Sequence, residues 1–296
     1  ETWSAAETIL RASEHGISNI MSVSLMRMGN GDLGIFYIVK ETPEINRIFL
    51  TRSSDEGKSF PSRTECTLRD RQGYYIINND RAVRLSSGRI VLPLALHAGG
   101  YSPSSGRYFD GRAADLFLLS DDDGITWRES TDRIYPPFTG TRTGLQEPGI
   151  VELANGALWG YARTDMMFQY GFYSMDGGEH WTMAQPTRFT SPNSPMKIAR
   201  DPYTGFLHAV WNPIPVYNGR KLSGVSWGRT PLAHAESRDE GETWSDIDYI
   251  ASEEDHGYCY PSVFFTEDGC MLLSYCAGGP ADGSPLCRTD IVKVRL

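Results

Sequence analysis

Short apolar runs, each cut off by a glycine-bearing turn, dominate the chain, and no stretch sustains a long helical period. The segment from Gly149 shows the pattern most plainly: GIVEL, a turn at Asn155, ALWGYAR, an intervening loop, then YGFYS ending at Ser174. Runs of this length, rich in β-branched and aromatic residues and bounded by turn pairs, read as strands. Turn pairs recur at Asn30, Ser87, Asn155, Thr204 and Asp268, each followed by glycine. Glycine there supplies the positive φ that a tight hairpin needs. The pattern predicts an all-β class built from one repeated unit: strand one, glycine turn, strand two, a variable loop, strand three, a second turn, strand four.

The second turn has its own spelling. SSDEGKSF from Ser53, SDDDGITW from Ser120, SMDGGEHW from Ser174 and SRDEGETW from Ser237 all fit S-x-D-x-G-x-x-W/F. Their aromatic ends, Phe60, Trp127, Trp181 and Trp244, are 67, 54 and 63 residues apart, a spacing that suits units of several strands. A catalytic carboxylate is not needed four times, so Asp55, Asp122, Asp176 and Asp239 are expected to be structural, accepting backbone N–H bonds across the turn. The opening ETWS repeats the ETWS at Glu242–Ser245, which reads as half of a fifth box. Repeated four-stranded antiparallel units point to a β-propeller, whose radial packing leaves only short edges exposed. Counting the halved copy as first and Tyr258–Leu296 as last predicts six blades in one domain over residues 1–296, with the first blade mostly missing.

Composition narrows the function. With 296 residues, 40% of them hydrophobic, the chain can bury a sizeable core. A net charge of −9 argues against nucleic acid as partner, since phosphate binding needs a basic surface. No window approaches eighteen apolar residues, so no membrane span is expected. The five cysteines and six histidines lack metal-ligand spacing, and neither a metal nor a cofactor is expected. The cysteines read as mostly free, buried thiols, with a bridge between Cys270 and Cys287 left open.

Strands alternate in direction, so glycine turns and boxes share one face, while the opposite face gathers the starts of strand one, the ends of strand two and the starts of strand three. Ligands favour such a loop-rich face near the axis. Glu147 in LQEPGIVEL and Tyr260 in YCYPSV stand at the starts of first strands; Arg163 in YART and Arg229 in GRTPL point to the same mouth. Asp80, also at the start of a first strand, either contacts substrate or forms a structural salt bridge, and Asn19, opening the corresponding strand of the second blade, is a candidate hydrogen-bonding contact for substrate. In the long loops, Tyr101, Tyr108, Trp211, Tyr217 and Trp227 are candidates for stacking on a ligand.

The repeated spelling matches the Asp-box, or BNR, repeat, and the chain resembles the sialidase superfamily of six-bladed propellers over essentially its whole length. The resemblance implies a retaining exo-glycosidase that takes a glycan or sialoside, with Tyr260 matching the nucleophile, Glu147 its base, and Arg163 and Arg229 two of the three arginines that hold the substrate carboxylate. It favours an extracytoplasmic location. Three departures stand against it: the family's first arginine and acid/base aspartate belong to the first blade, the glutamate that braces that arginine is Cys276 here, and the tyrosine is followed by Pro261 in place of serine. An enzyme on another polysaccharide, or a propeller that only binds glycans, are the alternatives.

Overall fold

The computed structural model describes residues 3–15, 19–71, 73–102, 104, 106–214 and 224–296. Among these the chain is almost entirely strand and turn, with two short 3-10 turns, Ala12–His15 and Pro285–Cys287. No helix among them is long and apolar enough to cross a membrane.

Four meanders of four strands follow one another, and a three-stranded one ends the chain. The first comprises β1 (Ile20–Arg27), β2 (Leu33–Thr42), β3 (Ile45–Ser53) and β4 (Ser62–Glu65). A short β5 (Tyr74–Ile76) then pairs parallel to β3 through Asn46 and antiparallel to β7. It thereby stitches the first meander to the second, β6 (Val83–Arg84), β7 (Ile90–Ser102), β8 (Gly106–Ser120) and β9 (Arg128–Glu129), as one nine-stranded sheet. Separate sheets follow: β10 (Gln146–Glu152), β11 (Leu158–Arg163), β12 (Phe168–Ser174) and β13 (Gln185–Thr190); β14 (Lys197–Arg200), β15 (Leu207–Trp211), β16 (Leu232–Ser237) and β17 (Asp248–Ala251); and β18 (Cys259–Thr266), β19 (Cys270–Cys276) and β20 (Thr289–Arg295). The stitch through β5 was not expected from the repeat, because Tyr74–Ile76 falls between two units.

The turns have the expected chemistry. Gly31, Gly88, Gly156, Gly205 and Gly269, each the glycine of a one-to-two turn, have φ between 73° and 92°. In the turn at Ser120, Ser120 Oγ donates to Asp122 Oδ1 at 2.9 Å and accepts from Gly124 N at 2.7 Å, while Asp122 Oδ1 accepts from Thr126 N at 2.9 Å. Asp55, Asp176 and Asp239 make the same pair of bonds, to a serine two residues before and a backbone N–H four residues after. These donors hold Asp122 down to about 2, the Thr126 hydroxyl contributing most.

The last three boxes also grip the preceding meander. Trp127 meets Phe36 of β2 edge-on at 6.0 Å, Trp181 stacks on Phe117 of β8 at 4.0 Å, and Trp244 packs on Phe189 of β13 at 5.1 Å. Asp123, next to Asp122, accepts from Gly29 N at 2.9 Å and pairs with Arg52 across the same seam. Four hydrophobic clusters lie between successive meanders, as where Phe36, Ile48 and Leu50 meet Ile90, Leu92 and Leu118. Burying side chains of this size contributes roughly 1.5–3 kcal/mol each.

Polar groups converge where the first strands meet. Asp80 Oδ2 lies 3.0 Å from Lys197 Nζ of β14 and accepts from Val263 N of β18 at 3.0 Å, so three sheets share one carboxylate. Arg81, 1% exposed, donates to Met196 O at 2.6 Å and faces the Tyr161 ring at 5.7 Å. The salt-bridge alternative for Asp80 is what the geometry displays.

Candidate active site

Glu147 and Tyr260 reach the same place by the same backbone device. The register of β10 with β11 slips between Gln146 and Gly149, and that of β18 with β19 slips between Cys259 and Ser262. In each bulge the residue of interest is left-handed, with φ 49° at Glu147 and 58° at Tyr260. Each precedes a proline, and a residue before proline is normally extended, so both positions are strained by about 1–3 kcal/mol. Gly149 relieves the first bulge: a Cβ there would fall 2.5 Å from the Tyr161 ring.

The phenol and the carboxylate face each other, Tyr260 Oη 3.4 Å from Glu147 Oε1. This is longer than an optimal O–H···O bond, as is common for reacting pairs before substrate arrives. Arg163 Nε lies 2.9 Å from Glu147 Oε2 without being aligned to donate to it, and Asn78 Nδ2 donates to the same oxygen at 3.4 Å. Arg229 is buried beside the phenol, its guanidinium carbon 5.5 Å from the Tyr260 ring and 5.2 Å from the Trp227 ring.

One main-chain atom sets the gap between the two arginines. Arg163 Nη1 and Arg229 Nη2 both donate to Asn193 O at 3.0 Å. The segment carrying it is anchored from below: Gln169 Nε2 donates to Ser194 O at 2.7 Å, and Ser194 Oγ donates to Asn212 Oδ1 at 2.6 Å. Arg229 Nη1 and Arg163 Nε remain buried without a hydrogen-bond acceptor. Arg163 Nε stays within ion-pair distance of Glu147, whereas Arg229 Nη1 has no such carboxylate partner and suits an anionic group, which a guanidinium binds with planar, paired bonds.

Burial, then the charge of Glu147, pushes the Tyr260 phenol up to about 12. Tyr260 is therefore protonated at neutral pH and needs a base to become a nucleophile; the nearest carboxylate is that of Glu147.

The structure brings together Glu147, Tyr260, Arg163 and Arg229. It does not bring Asn19 to the corresponding place. The register of β1 slips between Met21 and Ser24, and the left-handed residue there is Ser22, φ 61°, while Asn19 is exposed ahead of the strand with its carbonyl accepting from Lys40 N. Trp211 is 5% exposed and packs edge-on against Phe189, which makes it core and not a sugar platform. Tyr108 lines a cleft of about 480 Å³ with Arg112, Arg133, Tyr135 and Phe138, and Trp227 is half-exposed over Arg229. Tyr217 and the Tyr101 side chain lie outside the described residues. Asn78, Asn79 and Asn193 were missed by sequence reasoning. Asn79 Nδ2 donates to Tyr260 O at 3.1 Å, and the polar run NND in front of Arg81 was the available signal for the first two.

These meanders, with a polar rim where their first strands meet, define a propeller-like all-β protein. The model of the family described as BNR repeat-like domain matches residues 1–273, and the chain belongs to that family. Among solved structures, a Dyadobacter fermentans protein of unknown function superposes with a TM-score of 0.64 at 17% identity, over 93% of this chain and 75% of that one. The Hadza microbial sialidase Hz136 gives 0.67 at 13% identity, over 94% of this chain and 52% of its own. A Trypanosoma rangeli sialidase in complex with sialic acid gives 0.64 at 16%, over 93% and 44%. The chain thus spans about half the length of these sialidases, and at such identities the likeness is one of fold. No curated protein matches the chain.

Proposed function

We propose that this chain is the propeller of a sialidase-like retaining exo-glycosidase that releases a terminal sialic acid or a related acidic sugar. Tyr260 attacks the anomeric carbon, Glu147 takes the phenolic proton as the bond forms, and Arg163 with Arg229 holds the sugar carboxylate. The observation that carries this reading is the contact of the Tyr260 hydroxyl with Glu147 Oε1, flanked by two arginines fixed on one carbonyl. A sugar with a carboxylate on its reacting carbon repels an anionic nucleophile, and a phenol that is neutral until it attacks avoids that repulsion. Asp80 is read as a brace between sheets. The box aspartates are read as turn locks.

A six-bladed propeller is the architecture we favour. Five meanders are described, and Val23 and Leu25 of β1 with Phe264 and Ile291 of β18 and β20 expose apolar surface against which a further sheet would seat. The family's remaining arginine and its acid/base aspartate would come from that blade. An exo-glycosidase of the same fold acting on another polysaccharide is the second reading, because Cys276 stands where the family places the bracing glutamate.

The test is a panel of aryl glycosides with different terminal sugars, applied to the complete protein and to Tyr260→Phe. Turnover of an acidic sugar, lost by at least about a thousandfold in the variant, is expected for a missing covalent nucleophile. Turnover equal in the two proteins rejects the assignment, and tight glycan binding with no turnover by the complete protein makes it a binding propeller.

A further inference from the structure

The residue before the candidate nucleophile is a fully buried cysteine, and its partner across the sheet is another. Cys259 of β18 pairs in register with Cys276 of β19. Directly opposed residues of antiparallel strands have Cα atoms about 4.5–5.5 Å apart, inside the roughly 4.4–6.8 Å that a disulfide spans. Both are free thiols. Cys276 is partly exposed, so a small oxidant can approach the pair from that side.

The charged groups around the pair favour a reactive sulfur on Cys259. Its thiol is lowered by the neighbouring Cys276 thiol and by the adjacent Arg229 guanidinium, against burial and the charge of Glu147. Cys276 is driven the other way by the Cys259 sulfur and by burial. Cys66, fully buried, is pushed well up by burial and by the Glu65 carboxylate despite Arg52. Thiolate character beside a cation is the mark of an oxidisable cysteine.

We propose that Cys259 and Cys276 are a reversible dithiol/disulfide couple, a modification site in the wall of the candidate active site, oxidised by a peroxide and restored by a small dithiol. The Cys259 thiolate attacks a peroxide oxygen: an S–O bond forms, the O–O bond breaks, and hydroxide leaves to be protonated to water when the oxidant is hydrogen peroxide. The Cys276 sulfur then attacks the Cys259 sulfur: the S–S bond forms, the S–O bond breaks, and the second water leaves with the Cys276 proton. Two electrons pass from the sulfurs to the peroxide. Oxidation removes the negative sulfur from beside Arg229 and staples the bulge that presents Tyr260. That consequence for turnover rests on the hydrolase reading; the modification itself does not.

The experiment treats the native full protein, as wild type and as Cys287→Ser to remove the exposed competing thiol, with hydrogen peroxide at neutral pH. Free thiols are then blocked, and peptides are mapped without reduction. The expected product is a single Cys259–Cys276 crosslink that dithiothreitol reverses, with Cys66 and Cys270 blocked only after denaturation. In Cys276→Ser the crosslink should vanish and Cys259 should be captured as a sulfenic acid by dimedone. Recovery of both cysteines as free thiols, or of Cys259 as a sulfinic acid with no crosslink, overturns the proposal. The mapping needs no turnover, so its failure is distinct from failure of the hydrolase reading.

Discussion

Asp80 and Glu147 stand in corresponding places of successive meanders, each left-handed at the start of a first strand, with φ 55° and 49°. Their carboxylates are used in opposite ways. One oxygen of Asp80 is taken up by Lys197 and by the backbone of Val263, and nothing about it is exchangeable without loosening three sheets. Glu147 is held only by Arg163 and weakly by Asn78, and its other oxygen meets a phenol. The same backbone device presents both side chains; the groups waiting there decide whether a carboxylate is taken up between sheets or left facing a phenol.

The comparison is sharpest at Glu147. Replacing it with Gln keeps the shape and removes the proton acceptor, so kcat on an aryl sialoside should fall by about 10²–10⁴ with the melting temperature little changed. Retained turnover would put the base elsewhere and dissolve the contrast with Asp80. Asp80→Asn should do the reverse. Lys197 loses its counter-charge in a largely buried setting, at a cost of about 1–3 kcal/mol read as a lowered melting temperature, while kcat stays within a few-fold. A large kcat loss without destabilisation would make Asp80 a substrate contact.

The smallest effect concerns the box carboxylates. Asp122 and Asp176 are each held at about 2, Asp176 through His180 and Ser174 despite opposing burial, against an unfolded value of about 3.9. A carboxyl lowered in the folded state stabilises above its unfolded pKa and loses that contribution as pH falls through the folded one. Melting temperature should therefore decline between about pH 4 and pH 2, less steeply in Asp122→Asn. A slope identical in the variant would detach these turns from acid stability.

Much of this architecture is written in local chemistry. Glycine turns and boxes declare themselves because only certain residues tolerate those dihedrals, and four copies of one spelling leave little doubt about the unit. Bulge phase is another matter. Whether Asn19 or Ser22 turns toward the axis depends on where the β1–β2 register slips, which no residue spacing encodes. Trp211 closes β15 inside the core, a burial set by packing against Phe189 that residue type and chain position do not reveal. Asn193 escaped notice since it contributes a backbone oxygen, and any residue has one. The Cys259–Cys276 pairing needed the strand register to bring together two positions that read singly as buried thiols.

The carbonyl of Asn193 has a role that outlasts any particular sugar. Because two guanidinium groups from different sheets lean on one peptide oxygen, the distance separating them is a property of the loop and not of either arginine. Lengthening or re-aiming residues 191–195 would move both cations together and change the width of anion they can straddle. Ligand size in this scaffold can thus drift through a segment that carries none of the charges.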